Sequence, residues 1–166
     1  MEMEIERKFL LPEFPQQLVQ EGKLNIHSRQ RIEQTYLAMD GPQELRVRKI
    51  ENLASGEVHY THTFKNGLGI SREEIEYDIS QGLYEQMIRA VRAVPLIKER
   101  ITGEWNGVTV EIDIYDQLKL SVVEVEFHSL EEAQSFEAPE WFGQDVSEEK
   151  KYSNKTVWKE LQKPVQ

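Results

Sequence analysis

Apolar and polar positions alternate along most of this chain. A period of two places successive side chains on opposite faces of a strand. Eight stretches carry that pattern with β-branched or aromatic content, over residues 2–11, 29–38, 43–51, 57–66, 71–79, 96–103, 108–116 and 120–128. The joints between them hold turn residues: "DGP" at 40–42, "NLASGE" at 52–57, "NGLG" at 66–69 and "EWNG" at 104–107. Short joints between consecutive strands predict antiparallel hairpins. Helical spacing interrupts the series at 13–22, 80–93 and 129–136 and closes it at 147–162, with Ser80, Ser129 and Ser147 as expected N-caps.

One face of nearly every strand is charged. The first strand gives Glu2, Glu4, Glu6 and Lys8. Later strands give Glu44, Arg46 and Arg48; Thr61, Thr63 and Lys65; Arg72, Glu74 and Glu76; Lys98 and Arg100; Glu111 and Asp113; Glu124 and Glu126. The opposite faces carry Ile5, Phe9, Leu45, Val47, Phe64, Ile75, Val110, Ile112, Val123 and Val125. Two architectures fit this pattern. One is a half-buried sheet whose charged face meets water. The other is an eight-stranded barrel with its charges turned inward, which has room for side chains or one small ligand. Same-sign pairs within single strands favour the barrel, because a solvated face ordinarily mixes signs and neutral polar residues.

Composition narrows the chemistry. The 166 residues fit one domain, 1–166, and a 39% hydrophobic, 30% charged composition is that of a globular chain. A net charge of −10 argues against a general nucleic-acid or anionic-membrane binder, although a local basic site stays open. There is no cysteine, so disulfides and thiolate metal sites are excluded. The acidic start does not read as a targeting peptide, and no apolar run reaches membrane-spanning length, so the cytoplasm is the expected compartment.

Charges enclosed in a barrel need counterparts, since burying them unpaired is costly. Carboxylate clusters suit a hard divalent cation such as magnesium or manganese. Arginine and lysine clusters suit phosphate oxygens. The charged face, if it closes on itself, therefore implies a metal–polyphosphate complex.

The same segments carry a family resemblance. "EIERK" at 4–8, "ELRVR" at 44–48, "THTFK" at 61–65, "SREEIEYDI" at 71–79, "KER" at 98–100, "VEIDIYD" at 110–116 and "VEVEF" at 123–127 resemble, in order, the segments of the CYTH superfamily of triphosphate tunnel metalloenzymes. The tail "PEWFGQDVSEEKKYSNKTVW" resembles that of small bacterial members, several of which are inorganic triphosphatases. The resemblance implies an α+β, mainly β fold: an eight-stranded antiparallel β-barrel with helices packed outside and a C-terminal helix. It implies phosphate binding by Lys8, Arg46, Arg48, Lys65, Lys98, Arg100 and Lys155. It implies binding of Mg2+ or Mn2+ by Glu4, Glu6, Glu76, Asp113, Glu124 and Glu126, with Glu74 and Glu111 supporting them. Lys8, Glu76, Lys98 and Asp113 are the expected catalytic groups. Glu2 is expected at the tunnel mouth, and Arg72 fits either set.

The expected reaction is metal-dependent hydrolysis of a small-molecule triphosphate, above all inorganic tripolyphosphate. A class IV adenylate cyclase, a thiamine triphosphatase and a non-catalytic polyphosphate-binding module are the alternatives. No nucleic-acid or membrane partner is expected, and a homodimer stays open.

Overall fold

The structure is a computed structural model that describes residues 2–164. Its strands are β1 (Glu2–Leu10), β2 (Leu24–Asp40), β3 (Gln43–Asn52), β4 (Val58–Asn66), β5 (Ser71–Ile79), β6 (Leu96–Trp105), β7 (Val108–Tyr115) and β8 (Ser121–Glu126). They close into a barrel in the order β1-β5-β4-β3-β2-β6-β7-β8, with every pairing antiparallel. Helices α1 (Gln16–Gln20), α2 (Gln81–Val91), α3 (Leu130–Ser135) and α4 (Asn154–Gln162) and a 3-10 turn at Lys150–Tyr152 complete the chain. None of these helices is long and apolar enough to cross a membrane.

Local chemistry accounts for most element ends. Asn106 and Gly107 have φ of 47° and 78°, the left-handed conformations that a tight β6–β7 turn needs and that Asn-Gly supplies. Ser80 caps α2 by accepting from the Leu83 amide. Strand β2 differs from expectation, beginning at Leu24 rather than residue 29. The stretch "LNIHS" lacks strand composition, yet Leu24, Asn25 and Ile26 pair with Trp105, Glu104 and Gly103 of β6. A side chain at Gly103 would meet the Asn25 carbonyl at 2.8 Å, so a glycine there permits the close approach.

The closing helix, expected over 147–162, is shorter. Ser147 caps no helix; its hydroxyl accepts from the Lys8 amide at 2.9 Å, and the chain there runs beside β1. Helix α4 starts only at Asn154, capped by Ser153. The expected helix at 13–22 shrinks to five residues.

The apolar core has two parts. Phe9, Leu24, Ile101, Val110, Ile112, Val123 and Val125 form the first, packed with Phe142 and, at its edges, Phe14, Leu18 and Phe136. These strand residues alternate with the charged set and so lie on the outer face of the wall, where α1, α3 and the 136–142 segment cover them. The second part is inside. Tyr36, Leu96, Tyr115 and Val122 share the inner face with Arg46, Lys98, Asp113 and Glu124, and they pack against Val157 and Trp158 of α4. This apolar plug and α4 close one end of the barrel.

Candidate active site

Above the plug lies a cavity of about 210 Å3. Its lining residues are Glu4 and Glu6 of β1, Arg46 and Arg48 of β3, Lys65 of β4, Glu74 and Glu76 of β5, Arg100 of β6, Glu111 of β7, Glu124 and Glu126 of β8, and Asn154. All are charged except Asn154. Strand alternation puts the charged ones there, because each belongs to the i, i+2 set of its strand, whereas Asn154 opens α4.

The carboxylates concentrate on the β1–β8 side. Glu6 pairs with Glu126 across the ladder, and one oxygen each from Glu4, Glu6 and Glu126 lies within 4.8 Å of the others. Like charges so placed oppose ionisation. Burial, then Glu124 and Glu4, push Glu6 well above the usual carboxylate range. Burial, then Glu111 and Glu4, push Glu126 up as well. Glu74 is pushed up to about 7 by burial and its hydrogen bond with Glu4. Burial would raise Glu4 too, but Lys65, 2.8 Å away, holds it well below. An all-oxygen cluster under this repulsion matches what a hard divalent cation requires. Glu4 and Glu126 also line a wider hollow of about 670 Å3 beside α3, so the acids face the barrel's approach from outside.

Across the cavity stand the guanidinium groups. Arg46 and Arg48 are buried, and neither has an ion-pair partner among the described residues. Arg46 Nε has no hydrogen-bond partner, while Arg48 Nε donates to Gln34 Oε1 at 3.0 Å. Burial, then Arg46 and Arg100, bring Arg48 down to about 10. Two buried cations with no direct ion pair among the described residues, one with an orphaned donor, form a seat for an anion. Glu76 borders this seat; Thr63 donates to it at 3.0 Å, and although burial opposes it, Arg48 and Arg46 hold it low.

Arg100 is oriented from behind. Its Nε and Nη2 donate to Asp113 at 2.8 and 3.0 Å, and Nη1 lies 2.8 Å from Glu111. Asp113 also takes Lys98 Nζ at 2.8 Å, and both of those side chains are fully buried. Burial opposes it, but Arg100 and Lys98 hold Asp113 well below the carboxylate range. Lys98 falls to about 7, through burial against the pull of Asp113.

The profile of the CYTH domain matches residues 2–160 of this chain. The chain belongs to the CYTH family. A curated relative, an inorganic triphosphatase from Nitrosomonas europaea, is 35% identical over 93% of this chain and 95% of its own. Another inorganic triphosphatase, from Acetivibrio thermocellus, is 28% identical over 96% of this chain and 95% of its own. A solved structure of an inorganic triphosphatase superposes with a TM-score of 0.64 at 34% identity, covering 97% of this chain and 99% of that one.

Within this CYTH barrel the sequence-expected residues fall into three groups. Glu4, Glu6, Glu124, Glu126, Glu76, Arg46, Arg48, Lys65 and Arg100 are brought together at the cavity. Asp113 and Lys98 are not among its lining; they form a closed pair behind Arg100, because each oxygen of Asp113 already accepts from a cation. Lys8 and Lys155 stand at the margin. Lys8 Nζ sits 3.3 Å from Glu124 and donates to the Tyr152 carbonyl at 3.2 Å. Lys155 donates to the Gly41 carbonyl at 3.2 Å and lies 3.9 Å from Glu44. Arg72 pairs with Glu44 at 3.0 Å, and Glu2 is exposed.

Sequence reasoning missed Gln34 and Asn154. Gln34 sits on β2, which lacks the charged alternation that marked the other inner faces. Asn154 comes from a segment expected to be mid-helix.

Proposed function

We propose that this CYTH domain hydrolyses inorganic tripolyphosphate to pyrophosphate and phosphate with a divalent cation, Mg2+ or Mn2+. The observation that carries the reading is the split of one small cavity into a crowded carboxylate cluster and a set of buried, unpaired arginines. The two named inorganic triphosphatases matched over nearly their whole length support it.

Glu4, Glu6 and Glu126 would hold the cation, with Glu124 beside them. A cation bound there supplies charge neutralisation at the phosphate oxygens, the main demand of phosphoryl transfer. Arg46, Arg48, Arg100 and Lys65 bind the phosphate chain and keep it in line. Glu76, ionised and held by Thr63, orients the attacking water and accepts its proton as the water oxygen bonds to the terminal phosphorus. The bond from that phosphorus to the bridging oxygen breaks, and pyrophosphate leaves against the guanidinium groups. Asp113 and Lys98 act through Arg100, whose plane they fix. Lys8 steadies Glu124, and Lys155 sits at the rim.

The cavity lining includes no aromatic or apolar side chain that would seat a base or a thiazole ring. The test is phosphate release from tripolyphosphate, ATP, thiamine triphosphate and pyrophosphate, each with magnesium and with manganese. Tripolyphosphate is expected to be turned over fastest. Preference for either organic triphosphate by tenfold or more would displace this reading.

A further inference from the structure

We infer that Asn154 is a substrate-positioning residue, whose side-chain amide donates to the phosphate that enters deepest and so sets the register of the triphosphate chain. This rests on the triphosphatase reading and adds a residue to it.

Asn154 is the one uncharged side chain in the cavity lining. It contributes geometry rather than charge. It opens α4, and the same helix sends Val157 and Trp158 into the apolar plug. Asn154 therefore lies at the closed end of the barrel, where a chain of phosphates stops.

Its two amide atoms are not equivalent there. The Tyr115 hydroxyl donates to Asn154 Oδ1. A phenol is protonated at neutral pH, so it can give that hydrogen bond. Tyr115 is buried among Tyr36, Leu96, Val122 and Trp158, which leaves its hydroxyl little freedom. With Oδ1 taken, the face left over is the NH2 group, a donor only. Among the described residues, the one side-chain hydrogen bond of Asn154 is the bond to Oδ1. A fixed, unengaged donor on the floor of a cavity lined by arginines is complementary to a phosphate oxygen. Its neutrality also matters. A further cation would add to the repulsion already acting on Arg48, whereas an amide adds a directed hydrogen bond without charge.

The alternative is that Asn154 merely starts the helix and ties α4 to Tyr115. Substitutions separate the two roles because they predict opposite orders. N154D keeps an oxygen for Tyr115 and is favourable at a helix N-terminus, so a structural role makes it milder than N154A. A phosphate donor makes it worse, since a carboxylate replaces the NH2 group and repels the phosphate.

The experiment measures kcat and KM for tripolyphosphate with Mn2+, tripolyphosphate binding by calorimetry in chelator, and thermal stability, for wild type, N154A, N154D and Y115F. N154A is expected to lose about 10- to 100-fold in kcat/KM, the range for a hydrogen bond to a charged group. N154D is expected to lose at least tenfold more than N154A and to bind tripolyphosphate more weakly in chelator, while melting no lower than N154A. Y115F, which frees the amide to turn, is expected to fall between wild type and N154A. N154D matching or exceeding N154A in both activity and binding would overturn the proposal. A wild-type protein that neither binds nor hydrolyses tripolyphosphate would instead overturn the triphosphatase reading beneath it.

Discussion

Glu6 and Glu126 are directly paired across the β1–β8 ladder, both facing the barrel interior, with Glu4 close to both. Antiparallel strands ordinarily avoid like charges in this relationship. Here the pairing carries a stability cost that a cation held there would offset, and the thermodynamics of the metal-free protein should show it.

The first expectation concerns pH. The folded-state pKa values of Glu6, Glu126, Glu111 and Glu74 are raised, Glu74 to about 7. A raised carboxyl binds its proton more tightly in the folded state, so stability falls as pH rises from the unfolded value toward the folded one. The carboxyls held low, Glu4, Asp113 and Glu124, lose their contribution only as pH falls below their ordinary range. Metal-free protein should therefore lose stability between pH 4.5 and about 7, and saturating Mg2+ should flatten that decline. Urea melts across this range, with and without Mg2+, measure it. A metal-free stability that rises steadily over the window would contradict the mutual repulsion of the cluster.

The second contrasts two carboxylates. Glu6→Gln removes a repelling charge and should leave the metal-free protein at least as stable as wild type. Asp113→Asn leaves Lys98 buried without its counter-ion and Arg100 with Glu111 alone, which should cost about 3 kcal/mol or more. Denaturant midpoints of the two variants in chelator check the contrast. Equal destabilisation would mean that the two carboxylates have the same electrostatic role.

The third concerns the anion seat. Arg46 has no ion-pair partner among the described residues and an orphaned Nε. Arg46→Met keeps much of its volume and removes the charge. Tripolyphosphate turnover should drop by about 100-fold, in keeping with the loss of one preorganised charged donor. The metal-free melting temperature should fall little. Steady-state kinetics beside a thermal melt measure both, and intact turnover would place the phosphates elsewhere.

The barrel and most of its lining were legible because the inner face is charged. Glu4, Glu6, Arg46, Arg48, Glu124 and Glu126 each repeat at i, i+2 beside apolar neighbours, and that alternation fixes which side of the wall they take. The plugged end was not legible. Tyr36, Leu96, Tyr115 and Val122 are inner-face residues too, but apolar, and period two alone does not distinguish an apolar lumen position from an apolar outer one. Register was equally hidden. Asp113 and Glu124 belong to adjacent strands with similar patterns, yet the ladder pairs Asp113 with Arg100 and Val122, and Lys98 and Arg100 take both of its oxygens. The late start of α4 escaped because Ser147 offered a plausible cap, whereas its hydroxyl is used on β1.

The central claim is that the two ends of the charged face, β1 and β8, meet at one cation. Turnover of tripolyphosphate at saturating Mn2+ by Glu6→Gln, Glu126→Gln and the double variant tests it most directly. Each single change should reduce kcat by at least about 100-fold, as expected for ligands of a cation that positions phosphoryl transfer. The double variant should fall far short of the product of the two losses, because residues serving one ion act as a unit. Fully multiplicative losses, or singles that turn over normally once Mn2+ is saturating, would contradict a shared cation.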